Sequence, residues 1–343
     1  MNTSPGPKKS NLAKLRHSEE VDSWRPMASI EMLRTRAQLL ADIRGFFRAR
    51  EVLEVDTPVC SSYGTTDPAI ESLSVRYTGP GAPAGAPLYL HTSPEFAMKR
   101  LLAADSGPIY QICKVFRDGE SGRRHNPEFT LLEWYRPGFD HHQLMDEVEQ
   151  LILSLLPTAG PISKVTYQAL FKQHLQLDPH LATSAELRAC ALEHDTAGFE
   201  HLELPNRDAW LDILMTHCIE PKIGPGLCFV YDYPASQAAL ARIRPGPPAV
   251  AERFELYMDG VEVANGFHEL TDAAEQQGRF EQDLRQRAVS AQPLIPLDQH
   301  LIAALEHGIP DCSGVALGID RLLMQITGTT HIESVIAFPL GRA

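Results

Sequence analysis

The stretch that most constrains this chain runs from Ile109 to Tyr135 and reads as a strand, a charged loop and a returning strand. The first arm, Ile109-Tyr110-Gln111-Ile112-Cys113-Lys114-Val115-Phe116, is β-branched and aromatic and ends at Arg117. Asp118 to Pro127 follow, with Gly119, Gly122 and Pro127 marking turns, and Phe129 to Tyr135 is strand-like again. An arginine fixed at a strand end, facing acidic and amide side chains across a hairpin, suits an anionic planar ligand. Guanidinium grips a phosphate through two parallel hydrogen bonds, and Phe129 can stack a base. A solvated polar hairpin tip would carry the same residues, so the hairpin alone does not choose between the two.

At 343 residues and 43% apolar content, the chain has material for one large domain or two ordinary ones. A net charge of −13 argues against a general nucleic-acid binder. Six cysteines (60, 113, 190, 218, 228 and 312) are scattered without metal-ligand spacing, as expected of reduced thiols. No run is apolar enough to span a membrane and no charged-then-apolar leader is present, so a soluble cytoplasmic protein is expected.

Residues 1–26 carry Pro5, Pro7, Lys8 and Lys9 and read as a flexible tail. Ile30, Leu33, Ala37, Leu40, Ile43 and Phe47 then recur at helical spacing. Glu51 to Pro58 alternates like a short strand, and Pro/Gly-rich residues 78–87 form a loop. Leu88 to His91 is strand-like, and Ser93 and Pro94 read as the cap and first position of a helix carrying Glu95, a fitting ammonium ligand. Residues 140–225 read as a mainly helical insertion. Strand character resumes at Cys228 to Pro234, and Arg253–Met258, Asp259-Gly260 and Val261–Gly266 form a hairpin. A helix capped by Thr271 or Asp272 runs to about Ala288, and Asp311 to Met324 is a small-residue strand leading into a helix.

Three features add chemistry to the central hairpin. Glu262 and Glu269 flank Asn265-Gly266, which would place two carboxylates near one strand end as hard donors for Mg2+. Gly314 and Gly318 remove side chains where a backbone must approach a ligand. Arg321 begins a helix, where amides and a guanidinium together hold phosphate. Each is weak alone, since paired glutamates are usually surface residues and Gly-x-x-x-Gly is common.

Together, and in this order, the strand Val52 to Pro58, the arginine hairpin 117–135 and the strand–helix 314–321 resemble motifs 1, 2 and 3 of class II aminoacyl-tRNA synthetases. Thr92-Ser93-Pro94-Glu95-Phe96, Arg124-His125-Asn126-Pro127-Glu128-Phe129-Thr130 and Glu262 to Glu269 are similar to the lysyl branch. The likeness covers residues 28–343. Two departures narrow it: about 50 residues precede motif 1, too few for an anticodon-binding OB-fold, and Ala316 stands where the lysyl-tRNA synthetase pattern has glycine. Both resemble the stand-alone, lysyl-tRNA synthetase-like (GenX-type) ligase family, as do Ser236-Gln237-Ala238 and Asp311-Cys312-Ser313-Gly314.

The resemblance implies an α+β fold over residues 27–343, an antiparallel sheet flanked by helices with a helical insertion, and a homodimer formed through motif 1. It implies ATP-dependent activation of (R)-β-lysine and its attachment to a lysine of elongation factor P, with ATP and Mg2+ as cofactors and no tRNA. Arg117 and Arg321 would be catalytic, neutralising phosphate charge. Ser93, Pro94, Glu95, Tyr135, Glu269 and Ala316 would meet the amino acid. Arg117, Asp118, Gly119, Glu120, Asn126, Phe129, Glu262, Val263, Gly318 and Arg321 would meet ATP, and Glu262 and Glu269 the metal. The usual arginine–asparagine–glutamate start of motif 2 is Arg117-Asp118-Gly119 here, so either Glu120 reads adenine through a shifted loop or backbone groups do. A truncated RNA-charging enzyme is disfavoured by the absent anticodon module and the acidic balance. A non-catalytic paralogue is disfavoured by the presence of Arg117, Glu262, Glu269 and Arg321.

Overall fold

Side-chain alternation along the hairpin decides how the sheet is layered. In the computed structural model, which describes residues 24–81, 87–194, 199–202, 204 and 206–343, the arms are β5 (Ile109–Phe116) and β6 (Glu128–Pro137), paired antiparallel. Leu132 and Trp134 point to one face and enter the largest core, while Tyr135 points to the other face and enters a different one. The tail expected over residues 1–26 lies outside the described residues up to residue 23.

Seven more strands complete this sheet: β1 (Leu53–Glu54), β7 (Ile162–Thr166), β8 (Leu227–Pro234), β9 (Ile243–Arg244), β10 (Val250–Met258), β11 (Val261–His268) and β12 (Cys312–Gly318). Their order is β1-β5-β6-β12-β11-β10-β8-β7, with β9 on β10. The interior is antiparallel as expected, but β1 on β5 and β7 on β8 are parallel. A parallel pair needs a long crossover. The first crossover contains a small sheet, β2 (Cys60–Ser61), β3 (Ser74–Val75) and β4 (Leu88–Leu90), and helix α2 (Glu95–Ala103). The second contains α4 (Tyr167–Leu175), α5 (Ser184–Glu193) and α6 (Arg207–Leu214). Of the Glu51–Pro58 segment expected as a strand, only Leu53 and Glu54 pair.

The Trp134 face is covered by α1 (Ile30–Arg48), α3 (His141–Leu155) and α9 (Ile319–Thr327). Ile43, Phe47, Val148, Leu151, Leu322 and Leu323 pack there against Trp134, Phe254 and Leu317. The other face carries two separate blocks. Met98, Leu102, Phe280 and Leu305, from α2, α7 (Ala273–Val289) and α8 (Gln299–His307), cover Ile109, Tyr135 and Cys312. Tyr167, Phe171, Trp210 and Leu211, from α4 and α6, cover Val230, Tyr233 and Tyr257. The stretch 140–225 is therefore divided: α3 belongs to the core of the sheet, Ile162–Thr166 is strand, and α4 to α6 form the separate block. Between the two blocks the middle strands present polar side chains.

Candidate active site

Partners in an antiparallel pair share a face, so the register aligns two rows of residues across the strip between the blocks. One row is Gln111, Glu133, Ala316, Asn265 and Glu255; the next is Tyr135, Gly314, Phe267 and Arg253. Ala316 is thus the small residue in the middle of the floor, between Glu133 and Asn265.

At the Gly314 end three carboxylates converge. Glu133 is buried; its Oε2 accepts from Ser93 Oγ at 2.7 Å and its Oε1 from the Tyr135 hydroxyl at 2.7 Å. Burial, reinforced by the charge of Glu95, pushes its pKa up to about 8. Pro94 rather than Ser93 is the N-cap of α2, one residue later than expected, yet Ser93 Oγ still accepts from the Glu95 amide at 3.0 Å. One turn on, the buried Lys99 ammonium lies 2.6 Å from Glu95 Oε1 and 2.6 Å from Glu269 Oε2. Burial disfavours that ammonium, but Glu269 and Glu95 outweigh it and raise its pKa. Glu269 is pushed up to about 7 by burial despite Lys99. Gly314 makes this closure possible: a Cβ there would lie 2.3 Å from Tyr135 Cε1 and 2.5 Å from Glu269 Oε1. Fully ionised, Glu95, Glu133 and Glu269 exceed the one ammonium by two negative charges. Burial, with the charge of Glu95 added to it, raises both Glu133 and Glu269.

Four residues along β12, about 13 Å at strand rise, Gly318 caps α9. Among the described residues nothing requires glycine here, since the atoms nearest to a Cβ would be those of the Arg321 side chain, at 3.8 Å or more. Buried Asp320 fixes the first turn of α9: Oδ1 accepts from Arg36 Nη1 at 2.6 Å and Oδ2 from the Thr130 amide at 2.7 Å. Arg321 Nη1 donates to Glu262 Oε2 at 3.1 Å, and Nη2 lies 2.7 Å from His125 Nε2. Burial and the guanidinium lower the His125 pKa, which keeps that nitrogen an acceptor. Across the hairpin, Arg117 stacks 5.1 Å from the Phe129 ring centre and lies 3.6 Å from Glu120 Oε1; its buried Nε has no partner. Gly119 has φ +78° and donates to Asp118 Oδ1. Both ends of the Asn126 amide are engaged, by Glu128 O and the Leu340 amide, so it ties the C-terminal segment to the hairpin. Val263 points into the main core, leaving only its backbone for a ligand.

The expected metal pair is corrected. Glu262 is the second residue of β11 and Glu269 follows its last, roughly 23 Å apart at strand rise. Glu269 is already held by Lys99, so the two do not share an ion. The Asp259-Gly260 turn folds β10 back on β11, pairing Glu262 with Tyr257 two residues from Glu255, and both carboxylates lie within electrostatic reach of Glu220. Burial, then the charges of Glu262 and Glu255, push Glu220 up to about 7. These carboxylates supply the hard oxygen donors a divalent cation prefers; Glu255 is held by Arg253 and by the Tyr257 hydroxyl, each at 2.6 Å, and would have to be released to it. Sequence reasoning missed Lys99, Glu133, His125, Glu255 and Glu220. Lys99 was signalled by its i+4 spacing from Glu95, and Glu133 by being the lone charge in Leu131-Leu132-Glu133-Trp134-Tyr135. Glu220 gave no signal.

A buried carboxylate-rich end, a small-residue floor and an arginine-bearing open end on this sheet are the layout of an amino-acid-activating enzyme of the class II kind. A family model for class II tRNA synthetases (D, K and N) matches residues 14–342, and the chain belongs to that family. Within it, the chain is similar to the elongation factor P–(R)-β-lysine ligase of Vibrio vulnificus, 52% identical over 317 residues that cover 92% of this chain and 98% of the relative. It is equally similar to the Yersinia enterocolitica protein of that name, 51% identical over 325 residues, or 94% and 99%. Among the described residues no helix is long and apolar enough to cross a membrane.

Proposed function

We propose that the protein is a cytoplasmic, ATP-dependent ligase that activates (R)-β-lysine as an adenylate and attaches it to the ε-amino group of a lysine on elongation factor P. The observation that carries this reading is the convergence of three carboxylates on the single Lys99 ammonium at the buried end, a surplus of acidic groups that the two ammonium groups of a lysine isomer would ionise and pair with. The names of the relatives support the same substrate pair.

In this reading Glu95, Glu133 and Glu269 hold the ammonium groups, with Ser93, Pro94 and Tyr135 around them, and Ala316 lies beneath the carbon chain. The carboxylate then reaches toward the Gly318 end and attacks the α-phosphorus of ATP, breaking the bond to pyrophosphate. Arg117 and Arg321 neutralise the charge that builds on the phosphates. A divalent cation, magnesium in this reading, held by Glu262 with Glu255 would add positive charge there. Phe129 offers a face to adenine, and the Asp118-Gly119-Glu120 turn meets its edge, with the Glu120 carboxylate beside Arg117 suited to the role. The partner lysine amine attacks the mixed-anhydride carbonyl, AMP leaves, and the amine proton is lost to solvent. No enzyme nucleophile is required, so positioning and electrostatics carry the rate. Two copies would associate through the motif 1 region, where Ile30, Leu53 and Val59 are exposed apolar residues.

The test is pyrophosphate exchange into ATP with (R)-β-lysine and no RNA, followed by mass spectrometry of elongation factor P after incubation with the enzyme, ATP and β-lysine. Exchange and a single β-lysyl mass increment are expected. Exchange that appears only with RNA, or with no lysine isomer, defeats the reading.

A further inference from the structure

Outside this site, on the far side of His268, a second cluster of titratable groups has no role in the reaction. His141 at the start of α3, Glu252 on β10 and His268 at the end of β11 each present one ligating atom within 4.8 Å of the other two. His141 is 2% exposed and, among the described residues, neither of its ring nitrogens has a hydrogen-bond partner. Leaving a buried imidazole unpaired forfeits its hydration with nothing in return, so the arrangement calls for a ligand.

The surroundings say which kind. His268 Nδ1 lies 2.6 Å from Glu252 Oε2, and its Nε2 lies 3.0 Å from Asp311 Oδ1. A neutral imidazole has one N–H and can satisfy only one of these carboxylates, leaving a lone pair against the other. A cation shared by Nδ1 and Glu252 removes that conflict and leaves Nε2–H donating to Asp311. Asp232 stands in the same relation to His141: its buried Oδ1 has no partner and lies 3.8 Å from His141 Nε2, just beyond hydrogen-bond reach. Each histidine is therefore backed by an aspartate on the side away from the cluster, the carboxylate–histidine arrangement that orients metal-bound imidazoles. Arg244 pairs with both Asp232 and Glu252, and Arg242 pairs with Asp311, so the outer carboxylate charges are already balanced.

We propose that His141, Glu252 and His268 form a binding site for a zinc-class divalent cation that ties the start of α3 to β10 and β11. Two imidazoles and one carboxylate favour such a metal over magnesium or calcium. Tetrahedral zinc holds its donors about 3.3 Å apart, so the three side chains need only small rotations to close on it. The ion stands one residue from Glu269 and holds the strand end that aims this carboxylate at Lys99.

The full chain, stripped with a chelator and titrated with cobalt(II), tests this. One cobalt per chain is expected, with the visible absorption of a nitrogen–oxygen site and no thiolate charge-transfer band, which separates it from binding at the six free cysteines. His141→Ala and Glu252→Gln should each weaken cobalt binding, and zinc binding measured by competition, at least tenfold. Asp311→Asn should weaken both about tenfold through His268. His141→Met, which keeps the buried volume, replaces His141→Ala should the latter fail to fold. Zinc should raise the Tm of the wild type and leave that of the folded His141 variant unchanged. Less than one cobalt per chain at saturation overturns the proposal, and so does an affinity that none of these substitutions changes.

Discussion

At one end of β12, Glu133 and the side chains of Lys99 and Glu269 are at most 2% exposed; at the other, Arg117, Glu120, Glu262 and Arg321 are 24–38% exposed. The buried groups are paired at 2.6–2.7 Å, whereas the charged pairs at the open end stand at 3.1–3.6 Å. Charges removed from water must be compensated by the fold, so the ammonium end is built into the structure and its stability. Exposed pairs contribute little and exchange partners at low cost, so Arg117 and Arg321 can leave Glu120 and Glu262 without a large loss of stability.

The sharpest way to break this contrast is to remove the buried cation. Lys99→Met leaves Glu95 and Glu269 facing each other without water, and should cost roughly 3–5 kcal/mol of stability near pH 8 in urea unfolding. The loss should shrink near pH 5, where Glu269 takes up a proton. A loss below 1 kcal/mol at pH 8 would show that the two ends are not built differently.

The converse experiment concerns the open end. Arg321→Ala and Arg117→Ala should each raise the activation barrier by about 2–4 kcal/mol, as for lost transition-state donors. Stability should stay within about 0.5 kcal/mol of the wild type. Steady-state kinetics beside thermal unfolding checks both halves, and a variant that unfolds or keeps full activity contradicts the assignment.

Midway between the ends, Ala316 places a methyl on the floor between Glu133 and Asn265. Ala316→Gly should favour α-lysine over β-lysine by about 1–3 kcal/mol relative to the wild type, because an amine next to the carboxylate gains room. The ratio of kcat/KM for the two isomers measures it, and an unchanged ratio makes Ala316 mere filler.

The last test concerns the crowding of carboxylates itself. The Glu133 pKa is raised to about 8 from an unfolded value near 4.3. Its contribution to stability is therefore full below that unfolded value and is lost as pH rises through about 8. Glu133→Gln removes this slope, so the variant should gain on the wild type between pH 5 and 8.5, by roughly 4 kcal/mol at the upper limit for a shift of that size. Parallel stability–pH curves would mean that Glu133 titrates normally.

Much of this was legible in the residues. The hairpin, the Asp259-Gly260 turn and the amphipathic first helix follow from local periodicity and turn chemistry. Arg117 with Phe129, and Arg321 at a helix start, could be read as a phosphate end because each lies within or beside a recognisable motif. The pairing of Glu262 with Glu269 misled, since sequence proximity on a strand implies separation in space: each residue adds about 3.3 Å. Glu255, on the strand that folds back, is the nearer neighbour for the same reason.

The sequence by itself determined which face each strand residue takes, the order of the three motifs and hence the family, because alternation and turn residues act over a few positions. Only the tertiary structure decided which charges meet. Lys99 reaches Glu269, and Glu133 reaches Ser93, through the order of strands in the sheet and the seating of α2 above β6 and β12. Periodicity specifies a direction for a side chain and carries no information about the partner waiting there; that partner is supplied by distant segments which the burial of apolar faces brings together.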